Sequence, residues 1–442
     1  MFSYIVLLVS LVSAQAAAQQ QTAPPTPAAA AEKAPPSVVA GIPVNYDESK
    51  VGTYTLPDPL VLKNGKRVRD AKTWFTQRRP EILEMLTTQQ FGRAPGRPAD
   101  ESFEVTDKGT PALDGKAIRK QITIHLLKDP AAPQIHLLLY TPAAAKKPVP
   151  VLLSIGFGPV QFAVDDPGIT PETMWDPKTN TRVPAKPMRF FRPTNIVPLL
   201  DAGIGYATFY YGDVDPDYPA GFSSGIRARY LKAGQTERAP DEWGSIAAWA
   251  WGMSRVEDYF ETDRSVDAKR VAIHGVSRLG KTVVWAGASD QRFALVIASC
   301  SGEGGAALSH RNYGETIAHL TAPSRYPYQF AANYAKYAGF PDKAPFDAHM
   351  LLALIAPRPV LLQTGNKDFW SDPKGEFLAA VAAGPVYKLL GKDGLDTDVW
   401  PAAGQPILHD IGYTMHEGGH GMVPSDWDVY LEFLKMHLHP EQ

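Results

Sequence analysis

Gly275-Val276-Ser277-Arg278-Leu279-Gly280-Lys281-Thr282 satisfies two incompatible patterns at once. One is the phosphate-cradling loop G-x-x-x-x-G-K-[ST]; the other is a serine nucleophile on a sharp strand-to-helix turn. Both require an apolar strand, a glycine-bounded turn and a helix. Here these are Arg270-Val271-Ala272-Ile273-His274, the octapeptide, and a helix expected from about Leu279 to Ala288. The choice separates a nucleotide-driven protein from a hydrolase, and the rest of the chain has to decide it.

Working outward, short apolar runs alternate with amphipathic stretches from Ile122 onward. The runs are Ile135–Tyr140, Val149–Ile155, Gly205–Tyr210, Val271–Ile273 and Pro359–Gln363. Runs of four to eight apolar residues without strict alternation suit strands buried on both faces. Helical segments between them predict an α/β fold with a doubly wound, mostly parallel sheet sandwiched by helices. Trp243–Tyr259 shows helical spacing and leads into the strand before Ser277. Trp427–Leu438 reads as a terminal helix with Val429, Leu431, Phe433, Leu434 and Leu438 available for packing.

The N-terminus bears on compartment. Phe2–Val12 is apolar and of signal-peptide length, and Ala14-Gln15-Ala16-Ala17-Ala18 offers small residues for cleavage. Residues 1–18 are therefore expected to be a signal peptide, and the protein to be secreted or periplasmic. Residues 19–43, rich in Gln, Ala, Pro and Thr, lack the apolar side chains needed to offset ordering entropy and read as a disordered linker. Residues 44–442 are expected to form one catalytic domain. Apolar and charged fractions of 44% and 20%, with a net charge of -2, do not suit a nucleic-acid partner. A single cysteine, Cys300, leaves no intramolecular disulfide, so a large core must supply stability. The expected state is a monomer.

In such sheets chemistry gathers at the carboxyl ends of the strands. Three loops qualify: the turn at Ser277, the segment Gly365-Asn366-Lys367-Asp368-Phe369-Trp370-Ser371-Asp372, and Gly418-Gly419-His420. As a phosphate loop, the octapeptide would put Lys281 on phosphates and Thr282 on Mg²⁺. An exported protein meets little nucleotide, and no apolar strand ends in an acidic residue in an obvious metal-binding context, so neither nucleotide nor Mg²⁺ is expected. As a nucleophile turn, it exposes the Ser277 hydroxyl and aims the Arg278 N–H at a developing oxyanion. The order serine, acid, histidine is then available as Ser277, Asp368 and His420. Leu279 stands where the common G-x-S-x-G pattern has glycine, and Gly280 follows it.

His416-Glu417-Gly418-Gly419-His420 also matches H-E-x-x-H, which binds zinc only when a helix brings its two histidines together. Two adjacent glycines cost such a helix about 2 kcal/mol relative to alanine, so a loop is expected and no metal. The remaining histidines, among them His274, His310, His319, His349, His409 and His437, read as structural. So does Trp285 inside an apolar helix. Trp370, between Asp368 and Asp372 in a loop, is a candidate for contact with a ligand.

These residues together resemble the glucuronoyl esterases of carbohydrate esterase family 15. The likeness rests on Gly-Val-Ser-Arg-Leu-Gly-Lys at 275–281, Ser301-Gly302-Glu303-Gly304-Gly305 through Arg311, Gly314-Glu315-Thr316, Asp368-Phe369-Trp370-Ser371-Asp372-Pro373 and Gly418-Gly419-His420. Leu56-Pro57-Asp58-Pro59-Leu60 and Arg78–Leu83 also look like the family's bacterial branch. The resemblance implies an α/β-hydrolase that cleaves esters between xylan-borne glucuronic acid and lignin alcohols, with no metal or organic cofactor. It implies Ser277 as nucleophile, His420 as general base, Arg278 as oxyanion stabiliser, and Lys281, Glu315 and Trp370 as binders of the sugar. Many members carry a catalytic glutamate where this chain has Cys300, and others carry the acid after the later strand, where Asp368 stands. Asp368 is the expected acid, with Asp372 and Glu303 as competitors. Alternative readings are an esterase for another carbohydrate, such as acetylated xylan, or a carbohydrate-binding protein with a degenerate triad.

Overall fold

A computed structural model describes residues 35–187, 193–232, 234–235 and 238–440. The expected signal peptide and residues 19–34 of the expected linker lie outside them. Residues 35–43, the other end of that linker, differ from expectation, because strands β1 (Val38–Val39) and β2 (Ile42–Pro43) pair antiparallel. The Ile42 carbonyl meets His319 Nε2 at 3.4 Å, so tertiary contact stabilises a segment with little apolar content of its own.

The strands that follow are β3 (Ser102–Ala112), β4 (Ala117–His125), β5 (Gln134–Pro142), β6 (Val149–Gly156), β7 (Thr173–Asp176), β8 (Thr181–Pro184), β9 (Gly205–Tyr210), β10 (Val266–Val276), β11 (Leu295–Ser299), β12 (Val360–Gly365), β13 (Ile407–Leu408) and β14 (Ile411–His416). Ten of them form one sheet in the order β13-β14-β12-β11-β10-β6-β9-β5-β4-β3, while β7 and β8 form a separate antiparallel pair. From β9 through β6, β10, β11 and β12 to β14 all neighbours are parallel. The flanking strands β3, β4, β5 and β13 pair antiparallel. The parallel sheet expected from the apolar runs is thus the centre of a mixed sheet.

Each central strand sends alternate residues to opposite layers. Val151, Leu153, Val271 and Ile273 join one hydrophobic cluster with Trp249, Val256, Val283, Trp285 and Phe377. Leu152, Ala272, Ile297 and Leu361 join a second with Leu199, Tyr430, Phe433 and Leu434. Both faces are apolar, so the runs show no polar alternation although their side chains still alternate in direction. The helix expected over 243–259 is Ser245–Phe260, and the terminal helix is Asp426–Leu438. One long helix, Pro373–Leu389, escaped the sequence reading because Gly375, Gly384 and Pro385 interrupt its pattern.

After β6 the chain crosses to β9 on one side and returns to β10 on the other. This reversal opens a crevice at the carboxyl ends of the strands. The described residues from Pro36 onward make one compact unit around it. No described helix is long and apolar enough to cross a membrane.

Candidate active site

β10 ends at Val276, and Ser277 follows with φ 59° and ψ −126°. A non-glycine residue with positive φ stores strain that the surrounding packing must hold. Here the hold comes from both sides: Ser277 N–H donates to the Ser299 carbonyl at 2.8 Å, and Lys281 N–H donates to the Ser277 carbonyl at 3.0 Å. A Cβ at Gly275 would stand 2.3 Å from the Leu279 carbonyl oxygen, so only glycine permits so tight a return. Leu279 is fully buried in the core. At Gly280 a Cβ would lie 2.8 Å from the Ser299 carbonyl oxygen, so Gly280 provides the close helix-to-strand approach.

The helix Arg278–Ser289 begins at once, directing its unpaired N–H groups toward the crevice end of the sheet. Thr282 is buried, with its hydroxyl donated to the Arg278 carbonyl at 2.9 Å, so it serves the helix backbone. Trp285, expected in the core, stacks on Phe91 with centroids 4.3 Å apart.

Asp368 and His420 come from the loops after β12 and β14. Asn366 laces the two together: its N–H donates to the His416 carbonyl at 3.0 Å, and its side-chain oxygen accepts from Gly418 N–H at 2.9 Å. Lys367 N–H donates to the Gly418 carbonyl at 2.8 Å. A Cβ on Gly365 would be 2.2 Å from the Gly419 carbonyl oxygen, so this seam needs glycine. The result is a 2.7 Å contact between His420 Nδ1 and Asp368 Oδ2. Ser371 Oγ lies 3.2 Å from the same nitrogen. Burial disfavours charge on Asp368, but the hydrogen bond and charge of His420, together with hydrogen bonds from Ser371, outweigh it and hold the carboxyl below its ordinary value. His420 remains 44% exposed against 4% for Asp368, the asymmetry expected of a base facing substrate and an acid behind it.

The competing acids are engaged elsewhere. Asp372 accepts from Arg311 Nε at 2.9 Å and caps the helix Pro373–Leu389 through Gly375 N–H at 3.0 Å. Glu303 accepts from Ser309 Oγ at 2.6 Å and Tyr334 OH at 2.8 Å, and burial pushes its carboxyl up to about 8. Cys300 bridges backbone instead: its thiol donates to the Gly421 carbonyl at 3.3 Å and receives Gly421 N–H at 3.4 Å. Burial, aided by the charge of Asp368, raises the thiol well above its ordinary value, so it is not a thiolate nucleophile. It ties down the residue beside His420.

His416 ends β14, and the residues after it are not helical, so the zinc pattern is not realised. Its Nδ1 is 3.0 Å from Asp426 Oδ2 and its Nε2 3.2 Å from the Gly419 carbonyl. The described side chains close enough to share an ion are instead Cys300, Asp368 and His420. The Asp368–His420 hydrogen bond and the protonated thiol already account for this trio.

All seven residues singled out in the sequence, Ser277, Arg278, Lys281, Glu315, Asp368, Trp370 and His420, line one cavity of about 230 Å³. Lys281 is buried, donates to the Ser301 carbonyl at 2.7 Å and stands 3.9 Å from Glu315 Oε2. Burial, against the attraction of Glu315, draws its ammonium below the ordinary value. Glu315 also pairs with Arg325 Nη2 at 3.0 Å, and its N–H donates to the Trp370 carbonyl at 2.8 Å. Arg278 pairs with Asp217 and lies 4.7 Å from the centre of the Tyr326 ring. Burial opposes its charge, but Asp217 together with Tyr211 and Tyr326 outweighs it and holds the guanidinium above its ordinary value.

Sequence reasoning does not find Arg325, Tyr326 and Gln329, which also line the cavity. They sit in a turn-rich stretch without periodicity. Its unusual density of tyrosine and polar residues, Arg325-Tyr326-Pro327-Tyr328-Gln329, was the available signal.

A family model described as "Glucuronyl esterase, fungi" matches residues 236–391, which include Ser277 and Asp368. A carbohydrate esterase of an unknown prokaryotic organism is 44% identical over 403 residues, 89% of this chain and 92% of that protein. A solved glucuronoyl esterase from Solibacter usitatus is 44% identical with a TM-score of 0.83, covering 88% of this chain and 100% of its own. A promiscuous esterase of carbohydrate esterase family 15 from a marine bacterial metagenome is 43% identical with a TM-score of 0.81, covering 89% of this chain and 100% of its own. The chain belongs to the glucuronoyl esterases of carbohydrate esterase family 15.

Proposed function

We propose that the protein is an exported serine esterase that hydrolyses 4-O-methyl-glucuronoyl esters linking xylan to lignin alcohols, through an acyl-enzyme. The observation that carries the reading is the meeting, in one cavity, of a strained Ser277 with an Asp368–His420 pair 2.7 Å apart, beside Lys281, Glu315 and Trp370. Glucuronoyl ester hydrolysis as such is the activity named for its relatives, among them a 4-O-methyl-glucuronoyl methylesterase of Podospora anserina, 26% identical over 383 residues.

With Nδ1 held by Asp368, Nε2 is the nitrogen left to act on Ser277. It takes the hydroxyl proton as Oγ attacks the ester carbonyl. The oxyanion that forms is met by the Arg278 N–H at the helix start and by its guanidinium. Collapse expels the alcohol, which receives the proton from His420. Water, deprotonated by the same nitrogen, then attacks the acyl carbon, and as its bond to Ser277 Oγ breaks His420 returns that proton to Oγ, which releases the uronic acid and restores the starting enzyme. Lys281 donates to sugar hydroxyls, Glu315 accepts from them, and Trp370 offers an apolar face to the ring. No step calls for a metal or organic cofactor, and the substrate is the partner the site requires, with the chain acting as a monomer.

Purified protein should release alcohol from benzyl glucuronate, and Ser277→Ala should abolish release while sugar binding persists. A Ser277→Ala enzyme with undiminished turnover would sink the assignment. Export is tested separately by N-terminal sequencing of protein recovered outside the cytoplasm. Cleavage near residue 18 is expected, and an intact Met1 on that material would refute it.

A further inference from the structure

We infer that Asp217 is a positioning residue that sets the Arg278 guanidinium for transition-state stabilisation and links it to the wall of the substrate cavity. The inference rests on the proposed role of Arg278 at the oxyanion. Asp217 lies in the loop after β9, away in sequence from every catalytic candidate, and its side chain is 6% exposed. Both of its oxygens are fully used. Oδ1 accepts from Tyr328 OH at 3.0 Å and from Gln329 Nε2 at 2.7 Å, and Oδ2 accepts from Tyr211 OH at 3.1 Å and from Arg278 Nη1. A carboxylate held by four donors cannot rotate without breaking several bonds, so it offers the guanidinium one fixed anchor.

Its partners are themselves held. The Tyr211 ring packs on Trp249 with centroids 4.9 Å apart. Arg227 Nη1 donates to the Tyr328 carbonyl at 3.2 Å, and Arg227 Nε donates to buried Asp215 at 3.0 Å. Gly244 lets the backbone at Gln329 approach so closely that a Cβ there would stand 2.2 Å from the Gln329 carbonyl oxygen. Gln329 also lines the cavity. A single carboxylate thus ties the cavity wall to the residue that follows the nucleophile.

Arg278 spends only Nη1 on this anchor. Its Nε and Nη2 have no protein acceptor among the described residues, and the guanidinium lies over Tyr326. Donors that are oriented but uncommitted are what a developing oxyanion requires, because reorganisation during the reaction would forfeit much of their value. Replacing Asp217 by asparagine keeps the shape, removes the charge and turns part of the acceptor into a donor, which loosens the guanidinium.

The test is a cycle of four proteins: wild type, Asp217→Asn, Arg278→Ala and the double variant. Each is assayed for kcat and KM on benzyl glucuronate, for glucuronate affinity by calorimetry, and for melting temperature. Arg278→Ala should lower kcat about 10²- to 10³-fold, the cost of losing an oxyanion donor. Asp217→Asn should lower kcat about 10- to 100-fold, as loss of a group that orients a catalytic one does, with KM and glucuronate affinity changed by less than about 3-fold. The double variant should match Arg278→Ala, since Asp217 acts through that residue. Asp217→Glu, which retains the charge, should recover part of the loss.

Multiplicative effects in the double variant, or a loss in Asp217→Asn that appears in KM and glucuronate affinity rather than kcat, would overturn the inference while leaving Arg278 in its role. Undiminished kcat in Arg278→Ala would remove both readings together.

Discussion

Ser277 and Cys300 are both non-glycine residues with positive φ, and both stand at the end of central strands facing one crevice. Their chemistry differs because their surroundings do. Both line the one cavity, but the Cys300 thiol is engaged by the Gly421 backbone, and burial beside the Asp368 carboxylate keeps it protonated. The acid of the pair is set in the same way. Asp368 reaches His420, while Asp372, four residues on, is turned into a helix cap and an ion pair with Arg311. Asp368→Asn should therefore lower kcat about 10⁴-fold, as amidation of a triad aspartate does elsewhere. Asp372→Asn should act on folding instead, destabilising the protein by about 3 kcal/mol through the broken buried pair, with kcat of the folded enzyme within about 3-fold of wild type. Urea unfolding and steady-state assays on the two variants check both outcomes, and a crippled but stable Asp372→Asn would reverse the assignment. The seven residues chosen from the sequence share one cavity; Ser277, Arg278, Asp368 and His420 are legible from the rule that loops after strands gather at one sheet end, whereas Lys281, Glu315 and Trp370 as sugar binders follow from the family resemblance. Asp217 was not legible, although the same rule about loops after strands points to its segment. A carboxylate in the stretch Asp213-Val214-Asp215-Pro216-Asp217 differs from its neighbours only by what it meets in space.

The decisive element is the strand-turn-helix from Val266 to Ser289. Its two glycines do separate work: Gly275 admits the Leu279 carbonyl, and Gly280 admits the Ser299 carbonyl. Backbone atoms cannot move aside as a side chain can, so Gly275→Ala should cost about 1–3 kcal/mol, the range for overpacking. It should also depress kcat with Ser277 intact, because the turn that carries the hydroxyl must open. Unfolding and activity measurements on this variant should fall together, and wild-type values in both would contradict the geometry. The loop Glu417–Gly421 obeys the same logic from the opposite side. It reads as a zinc helix by residue type, and the glycine pair makes it a turn in which His416 is spent on Asp426. Activity should accordingly survive dialysis against EDTA unchanged; loss with EDTA and recovery with zinc would contradict this. Element types in the parallel centre were readable because runs such as Val149–Ile155 are apolar over most of their length. The helix Pro373–Leu389 was not, since internal glycine and proline residues mask a helix that tertiary packing sustains.

At the scale of the whole molecule, the fold buries carboxyls that water would ionise. Burial pushes Glu303 and Glu376 up to about 8, above an unfolded value near 4.3. These two groups thus hold protons in the folded state that the unfolded chain gives up, so their stabilising contribution is complete below about pH 4.3 and declines as pH rises toward 8. Asp368 works in the opposite sense: its lowered folded value supports stability above the unfolded aspartate value of about 3.9 and is lost as pH falls through the folded one. Stability should fall from pH 5 to pH 8, and Glu303→Gln should flatten that slope by up to about 1.4 kcal/mol per pH unit. Urea titrations of both proteins at intervals across this range measure it, and parallel slopes would show that Glu303 ionises normally.

The amino-acid sequence by itself determined the α/β class, the glycine-bounded turn at Ser277, the chain order of Ser277, Asp368 and His420, and the three loops that carry them. These are local matters, decided by which residues a strand, a tight turn or a helix start can accept over a few positions. Only the tertiary structure decided that Asp368 rather than Asp372 or Glu303 meets His420, that Cys300 fastens the histidine loop, and that Asp217 anchors Arg278. Those outcomes depend on which side chains distant in the chain arrive within about 3 Å of one another, the range over which hydrogen bonds act. Such meetings are fixed by how the sheet order folds the chain back on itself, and no run of neighbouring residues encodes them.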